Sequence, residues 1–242
     1  MPQENNSIYL NTLEQGEITI RGKFLWGSNY TFLVDVECGE QALKAVYKPS
    51  RGERPLWDFP AASLAHREVA AYLISKALGW DIVPETVYRR RGPIGAGSLQ
   101  RYIEHDPDQH YFNFGAEDRQ RLRPVVIFDL LVNNADRKGG HVILDANKHI
   151  WLIDHGICFH VEDKLRTVIW DFAGQPIPPE LIDDLKELRP QLSLEAPIAQ
   201  ALMAHLSRGE IKALAGRIDA LLEVCAFPDP DHDRRPYPWP PL

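Results

Sequence analysis

The sequence has few cysteines and no long apolar stretch. Its 242 residues include three cysteines, Cys38, Cys158 and Cys225, with no CxxC pair among them. Their number and spacing exclude a disulfide scaffold and a cysteine-based zinc site. Every uncharged run is shorter than the roughly 20 apolar residues of a membrane span, and the N-terminus has neither the basic start nor the apolar run of a signal peptide. We therefore expect a cytoplasmic protein without stable membrane insertion.

A basic surface is also missing. The formal net charge is −7, with 27 basic and 34 acidic residues. Residues 1–97 carry 11 of each sign, so the excess of acid lies in residues 98–242. An acidic second half argues against nucleic acid as a partner. The hydrophobic content of 44% and charged content of 25% are ordinary for a globular protein.

The first part of the chain reads as strands and one helix. Short runs rich in β-branched and aromatic residues, separated by glycines, predict strands at 17–21, 23–26, 30–37, 41–48, 83–88 and 98–103. A helix is predicted to start at Ser63, a capping residue, and to stop at Gly79. These elements predict a small antiparallel sheet with one helix.

The second part is predicted to be mainly helical. Pro124 opens an apolar helix, and Val142–Leu144 with Ile150–Ile153 predict a hairpin. Later helices are expected at 180–189 and 194–205, and from the capping box Ser207-x-x-Glu210 to about residue 224. Residues 227–242 contain six prolines and are predicted to be extended or disordered. The fold class is therefore α+β, in two lobes at 1–97 and 98–242.

Two sites in the first part suit phosphate binding. The turn Gly27-Ser28-Asn29 has small residues that let backbone N–H groups approach phosphate oxygens, although most such turns only reverse the chain. Lys44 and Lys48 lie on one face of a predicted strand, and either one could be buried over a nucleotide. Glu68, in the following helix, is available to pair with Lys48. The alternative is that all three charges are exposed at the surface.

Two acidic positions in the second part suit phosphoryl transfer. Asp136 lies in the polar loop Asn133–His141, where a carboxylate could accept a hydroxyl proton and Arg137 or Lys138 could offset phosphate charge. Asp154 closes an apolar strand just before Gly156, as a metal ligand would. The alternatives are an Asx turn at the loop and a helix cap or turn at Asp154.

Together these motifs resemble the protein-kinase-like superfamily, and most closely the bacterial family known as phosphatidylinositol 3-/4-kinase-like, the SCO-type family of actinobacteria. The similarity covers roughly residues 20–175 and depends on motif order and spacing. Its segments are Gly27–Tyr30, Ala45–Pro49 with Glu53–Pro55, Arg67–Tyr72, Leu78–Gly79, Ile82–Val87, Asn134–Arg137 and Asp154–Gly156.

The resemblance implies a two-lobed kinase that uses ATP with Mg²⁺ or Mn²⁺. It assigns Lys48 to the α- and β-phosphates with Glu68 as its partner, and it makes Lys44 the second-ranked phosphate lysine. Asp136 and Arg137 are then catalytic, Asp154 ligates the metal, and Gln100 in the segment joining the lobes lies near the adenine. Gly27, Ser28 and Asn29 cover the phosphates.

Two departures from the family pattern bear on activity. His141 stands where the family has a metal-binding asparagine, five residues after the catalytic aspartate, and imidazole suits Mn²⁺ or softer ions better than Mg²⁺. The turn at Gly27 also lacks a complete glycine series. The leading hypothesis is therefore a kinase acting on a hydroxyl group of a protein, small molecule or inositol lipid. The alternative is a pseudokinase, a catalytically weak nucleotide-binding module for protein interaction.

Overall fold

The computed structural model describes residues 2–24, 30–231 and 233–242, with the backbone alone for residues 2–5. In the described residues the helices are α1 Pro2–Gln15, α2 Leu64–Ala77, α3 Ala116–Gln120, α4 Arg123–Val132, α5 Pro179–Leu188, α6 Pro197–Leu202 and α7 Arg208–Val224. The strands are β1 Glu17–Lys23, β2 Phe32–Cys38, β3 Gln41–Pro49, β4 Thr86–Arg89, β5 Gly97–Arg101, β6 Val142–Leu144 and β7 Ile150–Leu152.

The first part forms the predicted antiparallel sheet. Within the described residues its five strands lie in the order β1-β2-β3-β5-β4, and each neighbouring pair is antiparallel. The two runs predicted at 17–21 and 23–26 are one strand as far as Lys23, with a register shift between Ile20 and Gly22. Val34, Val36 and Tyr47 are buried on one face of the sheet. Burial of alternate residues along a strand is typical of a sheet with one face against the core. The α+β fold class is confirmed.

The first part also contains a helix, α1, that the sequence pattern does not predict. Its sequence is too polar for a clear apolar stripe, so the pattern gave no helix signal. Tertiary contacts hold α1 instead. Leu13 is fully buried in the core of the sheet, and Arg89 Nη1 donates to the carbonyl oxygens of Leu13 at 2.7 Å and Gly16 at 3.0 Å. A cation at the helix C-terminus satisfies carbonyls that have no partner within the helix.

The second part packs around α4, an almost entirely apolar helix. Ile127, Phe128 and Leu131 are fully buried there, and α7 starts at the predicted capping box, where Ser207 accepts from the Glu210 N–H. The same core includes Ala70 of α2, so α2 packs against both the sheet and the second part. The strand β5 contains residues 97 and 98, between which the lobe boundary was predicted. That boundary stays a prediction.

The proline-rich tail is extended and packed against the second part. Phe227 is buried against Phe172, with ring centroids 5.5 Å apart. Further along, the Thr167 N–H donates to the Pro236 carbonyl at 3.0 Å and the Gly139 N–H to that of Pro241 at 2.8 Å. Among the described helices, none combines the length and apolar character needed to cross a bilayer.

The Arg89 contacts with α1 predict a specific loss of stability. Replacing Arg89→Met removes the donor to two carbonyls at the C-terminus of α1, and hydrogen bonds from a charged group contribute about 1.5–3 kcal/mol. We expect the free energy of unfolding, measured by urea denaturation, to fall by about that amount. Arg90→Met, at the exposed neighbouring position, is the matched control and should change it by less than about 0.5 kcal/mol. Equal effects of the two variants would contradict the role given to Arg89.

Candidate active site

Lys48, Glu68 and Asp154 meet in one ion-pair cluster between the sheet and the second part. Lys48 Nζ lies 2.5 Å from Glu68 Oε1 and 2.9 Å from Asp154 Oδ1. Lys48 is near the end of β3, on the face opposite to the buried Tyr47, and Glu68 lies on α2 with a side chain 3% exposed. Lys44 is exposed and instead pairs with Glu104 at 2.8 Å. The geometry therefore places Lys48, rather than Lys44, beside the two acids.

Lys48 and Asp154 keep their charges at neutral pH. Burial acts to lower the pKa of Lys48, but the nearby Asp154 and Glu68 carboxylates outweigh it and the pKa is raised. The Lys48 ammonium lowers the pKa of Asp154 well below its ordinary value, against the opposing effect of burial. An opposite charge within about 4 Å favours the ionised form of both partners. Lys48 is thus a fixed cation and Asp154 a fixed anion.

The turn after β7 presents Asp154 to the cleft. Asp154 has a φ of 62°, in the left-handed region that aspartate adopts more readily than most residues. Its side chain is 51% exposed, and its Oδ2 lies 3.3 Å from Nε2 of His141. The next residue fixes Glu68, because the His155 N–H donates to Glu68 Oε2 at 3.0 Å. Glu68 therefore contacts Lys48 through one oxygen and the Asp154 turn through the other.

His141 is a neutral imidazole directed at Asp154. Burial lowers its pKa to about 4, and the carboxylate of Asp154 opposes that shift only in part. The Lys138 N–H points at Nδ1 from 3.4 Å. With Nδ1 facing that N–H, Nε2 is the ring nitrogen that lies beside Asp154.

Asp136 lies near enough to Asp154 for the charge of Asp154 to affect its pKa, which is close to neutrality. Its pKa is raised to about 6, first by burial and also by the charge of Asp154, while Lys138 acts in the opposite direction. Its side chain is 33% exposed, and Lys138 Nζ is 3.7 Å from Oδ2. Asn134 fixes the loop, because its Oδ1 accepts from the Asp136 N–H at 2.9 Å. A carboxylate with a pKa near the working pH is suited to general base catalysis.

Arg137, expected to face a phosphate, is fully buried beneath the loop instead. Its guanidinium bonds the Asp129 carboxylate at 3.0 Å and the carbonyls of His141 and Ile153 at 3.2 and 2.9 Å. Its Nη2 also lies 2.8 Å from Nε2 of His155. The pKa of His155 is lowered well below its ordinary value, first by burial and then by Arg137. The neutral ring therefore accepts a hydrogen bond from Arg137.

Asp129 and Asn134 were missed by the sequence reasoning. Asp129 is 1% exposed and bonds both Arg137 and the Asn134 amide, the latter at 3.1 Å. A detectable signal existed, since an acid inside the apolar helix Arg123–Val132 must be buried and so needs a partner. That partner lies eight residues further along the chain.

Of the residues expected to contact the rest of the nucleotide, the structure describes Gln100 but not the turn at Gly27. Gln100 is buried in β5, where its Nε2 donates to Thr86 Oγ1 at 2.8 Å. In the antiparallel pair of β3 and β5, Val46 pairs with Gln100 and Lys48 pairs with Ser98. Paired residues share a face of the sheet, so Gln100 lies on the same face as Lys48. Gly27, Ser28 and Asn29 lie outside the described residues. Two cavities, of about 460 and 360 Å³, flank the segment 161–166 and do not include Lys48 or Asp136 in their walls.

Metal binding would depend on few protein ligands. In the part of the chain that the structure describes, no group of three or more His, Cys, Asp or Glu side chains could hold a metal ion. Asp154 and His141 nevertheless supply an ionised carboxylate and a neutral imidazole side by side. This small donor set fits a divalent cation that takes its remaining ligands from phosphates and water.

Comparisons with known proteins identify a relative along nearly the whole chain. No family model matches the sequence. Protein Rv2133c of Mycobacterium tuberculosis is 39% identical, over 94% of this chain and 93% of that protein. Phosphatidylinositol 4-kinase gamma 4 of Oryza sativa is 29% identical over 48% of the chain, and gamma 2 of Arabidopsis thaliana is 26% identical over 51%. The aligned regions span 24% and 29% of these two plant proteins.

The similar solved structures are kinases. The Golgi casein kinase with Mn and ADP bound has a TM-score of 0.59 at 14% identity, over 99% of this chain and 81% of that one. The proinflammatory kinase CtkA of Helicobacter pylori has a TM-score of 0.52 at 14% identity, over 89% and 94%. At this identity the likeness shows the fold, which is that of kinases.

The raised pKa of Asp136 predicts a pH-dependent gain in stability from Asp136→Asn. An acid whose pKa is higher in the folded state stabilises the fold below its unfolded pKa, near 3.8, and this contribution is lost as the pH rises through about 6. The neutral amide avoids that loss. We expect the Tm of Asp136→Asn to exceed the wild-type value by a few degrees at pH 8 and to match it at pH 4. Asp108→Asn, at an exposed position, serves as control, and a Tm difference independent of pH would contradict the assignment.

Proposed function

The chain belongs to the same family as Protein Rv2133c of Mycobacterium tuberculosis, and we propose that it is an ATP-dependent kinase that phosphorylates a hydroxyl-bearing acceptor. The observation that carries the proposal is the contact of Lys48 with both Glu68 and Asp154. The charge of Asp154 also raises the pKa of the nearby Asp136. These residues come from β3, α2 and two separate loops, and a structural ion pair alone would not require Asp136 beside it.

Lys48 is the proposed contact for the triphosphate. Its ammonium is fixed by Glu68 on one side and by Asp154 on the other. Glu68 is nearly buried and held by the His155 N–H, whereas Asp154 is half exposed. Phosphate oxygens would reach Lys48 from the exposed Asp154 side while Glu68 stays in place. Gln100 and the turn Gly27-Ser28-Asn29 remain the proposed contacts for the rest of the nucleotide.

Asp136 is the proposed base. The acceptor hydroxyl would give its proton to an Asp136 carboxylate oxygen as the hydroxyl oxygen forms its bond to the γ-phosphorus. The bond between that phosphorus and the β–γ bridging oxygen breaks, and ADP leaves with the electron pair. Because the pKa of Asp136 is about 6, the carboxylate is ionised at neutral pH and still basic enough to share a proton. Arg137 is buried beneath the loop, so we assign it to positioning Asp136 rather than to phosphate contact.

A divalent cation would be held by Asp154 and His141. When bound, Mg²⁺ or Mn²⁺ would neutralise phosphate charge. Asp154 offers an ionised oxygen at its exposed side chain. Nε2 is the nitrogen of His141 available to the metal, because Nδ1 faces the Lys138 N–H. Imidazole favours Mn²⁺ over Mg²⁺, and so we propose Mn²⁺ as the better cofactor.

The acceptor class stays open among a protein, a small molecule and an inositol lipid. The plant relatives named as phosphatidylinositol 4-kinases favour the lipid and the finer placement in the phosphatidylinositol 3-/4-kinase-like family, over about half of this chain. The fold shared with the Golgi casein kinase is equally compatible with a protein acceptor. The cysteines are free thiols, which supports the cytoplasm as the proposed compartment.

A pseudokinase is the second candidate, and the His141 ring favours it. In the observed arrangement the imidazole lies 3.3 Å from the Asp154 carboxylate, at the position where the family pattern has a metal-binding asparagine. A chain in which the imidazole keeps the metal from Asp154 would bind nucleotide without transferring phosphate.

Separate effects at Asp154 and Asp136 test the kinase. ATP with Mn²⁺ should raise the Tm of the wild-type protein, because a ligand that binds the folded state stabilises it. Asp154→Asn should lose most of this shift, whereas Asp136→Asn should keep it but lose at least about 100-fold in phosphoryl transfer. Transfer is measured with γ-labelled ATP offered separately to cell proteins, to a lipid extract and to small metabolites.

The control for these variants is Asp108→Asn, which should retain both binding and transfer. Nucleotide binding without transfer to any fraction would leave the pseudokinase. An absent thermal shift in the wild-type protein would rule out both candidates.

A second prediction concerns metal preference. His141→Asn replaces an imidazole nitrogen with an amide oxygen, a ligand that suits Mg²⁺. We expect the ratio of transfer rates with Mn²⁺ to those with Mg²⁺ to fall by about 10-fold, which corresponds to about 1.4 kcal/mol. His149→Asn, at the partly exposed end of the β6–β7 hairpin, is the matched control. An unchanged ratio would show that His141 does not contact the metal.

A further inference from the structure

We propose that Arg67 is a positioning residue that clamps α2 so that Glu68 stays against Lys48. This inference rests on the proposed nucleotide site and concerns what keeps that site assembled. Arg67 and Glu68 are neighbours on α2, so their side chains leave the helix about 100° apart. Glu68 turns towards Lys48, and Arg67 turns towards the second part of the molecule.

Arg67 is buried and contacts three other segments. Its side chain is 2% exposed, and Nη1 donates to the Cys158 carbonyl at 2.6 Å. Nη2 pairs with Glu210 at the start of α7. The ring of Phe59 lies under the guanidinium, 4.7 Å from ring centroid to Cζ. A buried guanidinium is costly unless it is paired, so these partners hold the helix at one position.

The contact with Cys158 links the clamp to the ion-pair cluster. Cys158 is four residues after Asp154, and the intervening His155 N–H is the donor to Glu68. Two consecutive residues of α2 therefore hold the same short segment, Glu68 at residue 155 and Arg67 at residue 158. A shift of α2 along this segment would break both contacts together.

Glu210 anchors the other end of the clamp. Its Oε2 accepts from the Ser207 N–H at 2.8 Å in the capping box, while its Oε1 pairs with Arg67. These hydrogen bonds and the Arg67 charge lower the pKa of Glu210, although burial acts to raise it. The clamp is thus charged at neutral pH and joined to α7, one of the longest helices in the described residues.

The test compares the effect of Arg67→Gln in two backgrounds. The readout is the Kd of a fluorescent ADP analogue in the presence of Mn²⁺, measured with the full chain. If Arg67 acts by holding Glu68, Arg67→Gln should weaken binding by about 10-fold in the wild-type protein and by less than about 2-fold in Glu68→Gln, because the effects of two residues that act through one another are not additive. Lys76→Gln, at an exposed position in the last turn of α2, should leave the Kd unchanged.

Two further variants keep the inference falsifiable where Arg67→Gln folds poorly. Glu210→Gln retains the capping box but removes the charge that Arg67 pairs with, and should weaken nucleotide binding in the same direction. Arg67→Lys, which preserves the charge, should recover part of the loss.

Equal weakening by Arg67→Gln with and without Glu68 would show a merely structural role and overturn the inference while leaving the kinase intact. Absence of nucleotide binding in the wild-type protein would instead overturn the proposed function, and the clamp with it.

Discussion

The burial of the Arg137 guanidinium is the constraint on which the site depends. A cation with no exposed surface is stable only where its donors are all near acceptors. Arg137 finds them on α4, on the loop that ends at His141, and at the end of the strand before Asp154. Residues of α4 and of the β6–β7 hairpin share one apolar core. The planar donor set of arginine adds fixed polar contacts between these segments.

The two acids of the candidate site, Asp136 and Asp154, both lie on segments next to this arginine. Asp136 precedes it in the loop, and Asp154 follows the carbonyl of Ile153 that Arg137 holds. His155 then connects the network to α2, since its ring lies against Arg137 and its N–H reaches Glu68. The ion pair of Lys48 and Glu68 is therefore supported from below by Arg137. Lys48 comes from the sheet, whereas the second part of the chain positions Asp154 and the segment that holds Glu68.

Much of this arrangement could be predicted from local pattern. A short run rich in β-branched and aromatic residues at 41–48 indicated β3. The cap at Ser63, an apolar face and Gly79 indicated α2, whose observed span is Leu64–Ala77. The hairpin that joins the loop to Asp154 also followed from short apolar runs. Choosing between Lys44 and Lys48 was beyond such reasoning, because a period of two puts both on one face. The two lysines are distinguished by the position of α2, which places Glu68 beside Lys48. The helix α1 was not predicted for a similar reason, because the residue that caps its carbonyls, Arg89, is more than 70 residues away in the sequence.

The environments of Asp136 and Asp154 separate their chemistry. Both are aspartates near the same opening, yet the Lys48 ammonium lowers the pKa of Asp154, and burial with the charge of Asp154 raises that of Asp136 to about 6. One carboxylate is thereby committed to the charged state that binds cations, and the other is left able to take up a proton. Asp136 depends on Asp154, because the fixed anion at Asp154 is part of what raises the pKa of Asp136. Paired acids with pKa values pushed apart are a sign of divided acid–base roles, and here the division depends on Lys48 staying beside Asp154.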